Sequence, residues 1–466
     1  MKNSLRYFLM GVLLVSLSLG SLSATSTYTY EKLLAAALQN NTTLQSAKQE
    51  YQRSLLDIKD AKGKRGPTVD FNLSGTYMVN PPVGPIVLNT DEILGTIEWP
   101  AGFTPMSGGE YITLYSGMEK TLYQAQVTLT QPIFTWGKIS TAIDLTQQVA
   151  RLRALQLSDQ QSRVESELAI HLDALYHLEK IASLLAAESA VVTRLEEIAK
   201  EAYASGLILE LDVLQAAVGR SELEAAQATI AHQRQRLLLN LRTLSGVGDL
   251  ELSSIAHTAT TERYHSLLAL DNAELIGAAT SSERPAIAAL SLSESLARSA
   301  VDLERASLSW KPDFALVASI GYGGPRLPLF ETDWYRQNDY TLNFTLGLQS
   351  TIWDGGDSLR AVQRQLSEQE SASTSAVAAR QTIVQTLLES LSALHVAVAN
   401  IDFLEKKIAY LAESLVIEEA KVAAGYGEEG DCLQVKLEYL NTQVIAEQNL
   451  LEASTHYHTI ALLRGQ

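Results

Sequence analysis

Apolar and polar residues alternate strictly from Tyr123 to Thr130: Tyr123, Ala125, Val127 and Leu129 fall on one side, Gln124, Gln126, Thr128 and Thr130 on the other. A period of two predicts a strand with one apolar and one polar face. The same alternation recurs from Val69 to Val79, from Phe314 to Tyr322 and from Tyr340 to Leu348. Strands are therefore expected over 68–79, 121–133, 313–322 and 340–352. After the second comes Pro132-Ile-Phe-Thr-Trp-Gly137, and after the fourth Ile352-Trp-Asp-Gly-Gly356. Each strand pair thus ends at a junction, marked by Pro132 and Gly137 in one case and by Gly355 and Gly356 in the other.

Beyond each junction the period changes to that of a helix. No proline or glycine occurs between Ile139 and Ala204. Ile181, Leu185, Val192, Leu195, Ala199 and Ala202 step at near-heptad spacing, with Glu188 on the same stripe, which is a coiled-coil pattern. Leu387, Leu391, Leu394, Val398, Ile401, Ile408 and Leu415 repeat it. Long helices are predicted over 138–205 and 357–424, each roughly 100 Å long at 1.5 Å per residue. Shorter ones are predicted over 209–245 and 431–464, after breaks at Gly206 and Gly425. Helix is also expected over 30–64 and 272–309. Segment 247–270 is mixed, 80–120 reads as a long loop with room for a hairpin, and 323–339 as a short one.

The two halves register. Gly137 and Gly356, Gly206 and Gly425, and Asp212 and Asp431 are each 219 residues apart. Pro67 and Pro312, and Tyr77 and Tyr322, are 245 apart, and the difference is the extra length of the first loop. The chain divides into a first repeat at 24–246, a linking segment at 247–270 and a second repeat at 271–466. The fold class is mainly α with a β portion.

Each alternating run is about 9–11 residues, enough to cross a bilayer as a tilted strand. Tyr77, Tyr123, Tyr322 and Tyr340 fall at the loop end of the strands, and Phe134, Trp136, Trp310 and Trp353 at the helix end. Two aromatic belts around an apolar band predict a membrane barrel wall. Four strands cannot close a barrel, and lipid does not tolerate an open edge. Copies of the chain must then join, and three would give twelve strands. The polar residues, Asp70, Asn72, Gln124, Gln126, Thr128, Thr130, Asn343 and Thr345, would line a wet lumen.

Composition narrows the function. Lys2, Arg6, an apolar run from Phe8 to Leu19 and the small residues Ser21 and Ser23 predict a signal peptide over 1–23. Beyond it no run is apolar enough to predict a spanning helix. Net charge is −17, and −19 without the two basic residues of the leader, which disfavours nucleic acid. Cys432 is the single cysteine, so no internal disulfide is expected. The histidines are scattered: His171 and His177, and His456 and His458, lack zinc-ligand spacing. No enzyme, metal or cofactor is expected.

With its order, spacing and duplication, the set Gln131-Pro-Ile-Phe-Thr-Trp-Gly137, Ile352-Trp-Asp-Gly-Gly356, Tyr203-Ala-Ser-Gly-Leu207 with Asp212-Val-Leu214, and Gly425 with Asp431-Cys-Leu433 resembles the TolC-like outer-membrane efflux proteins. The resemblance covers essentially all of the chain after the leader. It implies a homotrimer with a twelve-strand transmembrane β-barrel in outer-membrane lipid and a twelve-helix periplasmic tunnel. Such a protein serves as the passive exit duct of a tripartite efflux pump or type I secretion system, with a periplasmic adaptor and an inner-membrane transporter as partners. It implies adaptor docking at the hairpin turns Gly206-Leu207 and Gly425, and an acidic constriction at Asp431, reinforced by Glu428 and Glu429. The family's second aspartate falls on Gln434. Its gate-latching tyrosine and arginine fall on Val422 and Gly427, so closure is expected to use other contacts. Asp212 is expected as a helix-start acid. A periplasmic coiled-coil scaffold and a plain diffusion porin are the alternatives.

Overall fold

The computed structural model describes residues 27–102, 109–259, 263–325 and 340–465. The expected signal peptide, most of the 323–339 loop and part of the 80–120 loop lie outside the described residues. The elements are α1 (Tyr30–Asn40), α2 (Thr42–Gly63), β1 (Thr68–Tyr77), β2 (Ile86–Asn89), α3 (Thr90–Gly95), β3 (Tyr111–Tyr115), β4 (Thr121–Phe134), α4 (Lys138–Ala204) and α5 (Glu210–Ser245). They continue as α6 (Arg263–Leu268), α7 (Asn272–Ala279), α8 (Pro285–Ala306), β5 (Asp313–Gly324), β6 (Tyr340–Gln349), α9 (Asp357–Ala423) and α10 (Glu429–Arg464).

The repeat is written into the lengths. Helices α4 and α9 each have 67 residues, and α5 and α10 each have 36. Both shorter helices end at a left-handed glycine, Gly246 at φ 69° and Gly465 at φ 79°. These too are 219 residues apart. At Gly246 the requirement is double, because a Cβ there would lie 2.5 Å from Cβ of Asn40.

Several elements differ from expectation, each for a local reason. The helix expected over 30–64 breaks at Asn41. Its carboxamide accepts the Leu44 N–H at 3.1 Å and donates to the Leu244 carbonyl at 3.2 Å, so it caps α2 and ties it to the end of α5. The helix expected over 272–309 divides into α7 and α8, because Pro285 has no N–H to continue a helix and suits the first position of a new one. Segment 80–120 holds the hairpin of β2 and β3 with α3 between them. Strand β6 stops at Gln349, short of 352, because Ser350 Oγ and the Thr351 N–H both donate to the Ser309 carbonyl. Helix α10 starts two residues early, at Glu429, with Glu428 in the cap position. By composition α9 contains a window of mean hydropathy 1.4, apolar enough to cross a membrane, which the sequence had not indicated. Nearly half of that window is buried against other helices, as in a packed core helix.

Packing divides the chain into two units that do not follow the repeat boundary. One holds Val149–Ser295 and Ser371–Gln466 with the chain up to Ser54; the other holds Leu55–Gln148 and Leu296–Glu370. The first unit is helical, with its apolar core in three clusters. Leu33, Leu168, Leu172 and Leu241 lie in one, and Leu275, Leu387, Leu394 and Ile460 in another. Ile181, Leu185, Leu223 and Val444 form the third.

A polar hub lies among these helices. Asp173 of α4 is 7% exposed, and its carboxylate bonds His257 Nε2 at 2.5 Å, His458 Nε2 at 2.7 Å and Ser454 Oγ at 2.8 Å. Segment 247–270 is thereby fastened to α4 and α10, helped by a parallel bridge between Tyr28 and Ile255. The histidines are scattered in the sequence, yet His257 and His458 converge on Asp173 from 84 and 285 residues away. Burial works against the Asp173 charge, but the hydrogen bonds from His257, His458 and Ser454 outweigh it and hold the carboxyl well below its usual range. Burial pushes the neighbouring Tyr264 hydroxyl up to about 12. Truncation by Asp173→Ala should destabilise the helical unit by about 3 kcal/mol, read from its thermal or denaturant unfolding. A carboxyl depressed in the folded state contributes fully above its unfolded pKa and loses the contribution as pH falls through the folded value. The difference between wild type and Asp173→Ala should hold from neutral pH to about pH 5 and shrink below about pH 4.

Candidate functional site

In the second unit one sheet has the order β1-β4-β5-β6, antiparallel throughout. Its register carries each alternation across all four strands. Phe71 faces Val127, Val127 faces Ile320 and Ile320 faces Leu342, which makes an apolar row. Asn72 opposite Gln126, Asp70 opposite Thr128 and Ser319 opposite Asn343 lie on the other face. The apolar face is uncovered: Phe71 is 67% exposed and Phe344 72%. β1 and β6 do not pair with each other, so each presents an unpaired edge. The barrel expected from the sequence is, in one chain, an open four-stranded sheet.

The aromatics gather at the two ends of this sheet. At the loop end the Tyr322 and Tyr340 rings pack at 5.4 Å, and Tyr123 lies over Gly75, where a Cβ would meet its ring at 3.2 Å. Tyr77 ends β1 opposite Thr121, two positions nearer the loops than Tyr123, and is exposed. At the helix end Phe134 packs on Trp136 at 5.2 Å and on Phe314 at 6.2 Å, and Trp136 lies 6.3 Å from Trp310. Trp353 stands apart and exposed.

The junctions are left-handed pairs. Trp136 at φ 53° and Gly137 at φ 82° match Gly355 at φ 67° and Gly356 at φ 82°. A tryptophan in that conformation costs about 1–2 kcal/mol. It is held by its ring contacts and by Nε1–H donating to the Pro312 carbonyl at 2.9 Å. Pro132 sits in β4 just before this bend, beside a register shift against β5. In the second junction the Asp354 carboxylate accepts the Gly356 and Ser358 N–H groups at 2.8 and 3.0 Å and so starts α9. Lys138 pairs with Asp313 at 2.7 Å, joining the start of α4 to β5.

In the helical unit both hairpin turns are Schellman motifs. Leu207 N–H donates to the Ala202 carbonyl and Gly206 N–H to that of Tyr203, with Gly206 at φ 74°. Tyr426 and Gly425 repeat the pattern on Lys421 and Val422, with Gly425 at φ 76°. The exposed residue after each glycine differs: Leu207 is 78% exposed and Tyr426 90%. Leu209 and Leu211 extend the first turn into an exposed apolar tip. Gly427 falls where the family latch arginine was expected, and a Cβ there would meet Lys421 Cβ at 3.0 Å and the Val422 nitrogen at 3.2 Å.

The acids divide by partner. Asp212 accepts the Leu209 N–H at 2.9 Å and closes the first turn of α5. Its counterpart Asp431 is exposed and bonds to none of the described residues. Glu428 is exposed in the cap position. Glu429, expected to add to a negative constriction, is already neutralised: Arg194 of α4 donates to both its oxygens, at 2.8 and 2.9 Å. The hydrogen bonds from Arg194 hold its carboxyl below the usual range. Arg194 also meets Glu197 at 3.2 Å. The sequence did not single it out, because the partner lies 235 residues away.

Three solved proteins share this fold at identities that speak to fold alone. VceC, an outer membrane protein of Vibrio cholerae, gives a TM-score of 0.70 at 17% identity over 94% of this chain and 96% of its own. The CmeC outer membrane channel of Campylobacter jejuni gives 0.71 at 14% identity over 94% and 85%. The open state of the MtrE outer membrane channel of Neisseria gonorrhoeae gives 0.65 at 16% identity over 94% and 88%. No functionally curated protein matches the chain in sequence. The model of the outer membrane efflux protein family matches residues 33–247 and 278–464, one stretch in each repeat. With most of its length matched in this way, the chain belongs to the outer membrane efflux protein family.

Proposed function

We propose that three copies of this chain close a twelve-strand barrel whose polar face lines a passive exit duct, continued by a helical periplasmic tunnel. The observation that carries this reading is the open sheet: an uncovered apolar face between two unpaired edges is stable in lipid only if the edges pair with other copies. A second feature supports contact between copies. Val396, Phe403, Tyr410 and Ile417 of α9 recur every seven residues, and each is at least half exposed. A stripe with that period suits a neighbouring helix of a second copy. The 67-residue helices are far longer than the turns of a diffusion porin. The apolar band is unsuited to a soluble scaffold.

Under this reading the apolar tip at Leu207, Leu209 and Leu211, with Gly206 as its pivot, is the docking point for a periplasmic adaptor. An inner-membrane transporter supplies the energy, either in a drug-type tripartite pump or in type I secretion. Gly425 turns the second hairpin, where exposed Tyr426 presents a different surface. Asp431, one per copy, forms the acidic ring at the entrance, with Glu428 beside it. The Arg194–Glu429 pair serves as the closing contact in place of the absent tyrosine and arginine latch.

Placing an arginine on the lipid face by Phe344→Arg should cost about 2–4 kcal/mol at mid-membrane and abolish the heat-modifiable oligomer in outer membrane fractions. Asn343→Arg, on the polar face, should leave assembly intact and change conductance. A soluble periplasmic monomer for the wild type would sink the duct reading. In planar bilayers Asp431→Asn should reduce cation preference. Arg194→Ala should raise the resting conductance and, by freeing the Glu429 carboxylate, strengthen cation preference, whereas equal resting conductance would remove Arg194 from the gate.

A further inference from the structure

A cavity of about 750 Å³ opens between α4, α5 and α10 of the helical unit. Ile181, Leu185, Leu223, Ile230 and Val444 give it apolar walls. Glu188 also lines it, on the stripe that the heptad pattern of α4 reserves for apolar residues. Glu188 is only 6% exposed, and its Oε1 has no hydrogen-bond partner. No lysine or arginine lines the cavity. The cations nearby in sequence on α5 are already engaged: Arg220 with Glu196 and Glu224, and Arg234 with Glu179.

A carboxyl in such a place is either neutral or paired with a cation brought from outside. Burial alone pushes the Glu188 carboxyl up. Gly219 of α5 adds the shape. It stands inside a helix, where glycine is unfavourable, and a Cβ there would meet nothing within 4 Å. The space beside it is therefore open. Asn441 and Gln448 add neutral hydrogen-bonding groups from α10.

We propose that this cavity is a binding site for an amphipathic organic monocation, with its apolar body against the leucine and isoleucine walls and its charge on Glu188. The volume falls in the range of small-molecule sites, about 300–1,000 Å³. The site lies within one chain and goes beyond the exit-duct reading, on which it does not depend. Binding draws Glu188 into its charged form, so a proton leaves as the cation enters and affinity rises with pH. The other titratable group in the wall is Glu222 of α5; α10 contributes none.

The test is calorimetric titration of full-length, detergent-solubilised protein with tetraphenylphosphonium. Tetraphenylborate, of the same shape and opposite charge, serves as control. Saturable binding of the cation at one site per chain is expected, with none of the anion. Glu188→Gln should weaken it about tenfold or more and flatten its pH dependence. Gly219→Leu, which fills the space, should weaken it comparably while the protein unfolds at a temperature close to wild type. Equal affinity in wild type and Glu188→Gln, or equal binding of the anion, would overturn the proposal. So would the absence of saturable binding.

Discussion

A backbone N–H in hydrocarbon has no water to bond, and each one left unpaired costs several kcal/mol. That constraint bears hardest on β1 and β6, the two edges of the four-stranded sheet. Within the sheet the alternation of side chains has already fixed which face is apolar. The edges are what a single chain cannot resolve. A soluble protein would blunt them with charges, bulges or a covering helix. Here β6 carries Leu342, Phe344, Leu346 and Leu348 along its exposed apolar face, with no lysine, and β1 is equally uncovered. Such edges suit continuation into the next copy.

The same constraint explains the junctions. A long helix satisfies its own backbone and a strand pairs with its neighbours, but the turn between them does neither. Two successive left-handed residues make the change of direction short, and a side chain takes up the freed donors. Asp354 does so at the start of α9. In the first junction Trp136 occupies a position that glycine would fill at less cost. Its indole anchors to Pro312 and packs among Phe134 and Trp310, so the aromatic cluster stabilises the bend that its own residue strains.

How much of this was legible follows from the range of each interaction. The alternation of Tyr123–Thr130 and the heptads of α4 are patterns within a few turns of chain, and the duplicated glycines recur at one fixed spacing. The sequence exposed them along with the repeat. The bonds of Asn41 to Leu44 and Leu244 are partly local, and a helix pattern masked them because asparagine is tolerated within it. The Asp173 hub and the Arg194–Glu429 pair join residues hundreds of positions apart. No periodicity marks such a pair, and a histidine on a helix reads the same whether or not a carboxylate awaits it. Pro285 was visible, but its effect depended on whether the helix could restart after it.

The duplication also separates what the two copies of a motif do. Asp212 and Asp431 occupy the same place in matching helices, yet the first accepts the Leu209 N–H while the carboxylate of the second has no bond among the described residues. Glu429 at the head of α10 is bound to Arg194, whose other contacts are acids of α4, so the negative charge around that turn is already partly offset. Asp431 remains an exposed acid beside this pair. The first hairpin has no such pair at its helix start and instead exposes Leu207, Leu209 and Leu211. Equivalent backbones have thus taken an apolar surface at one tip and a charged one at the other.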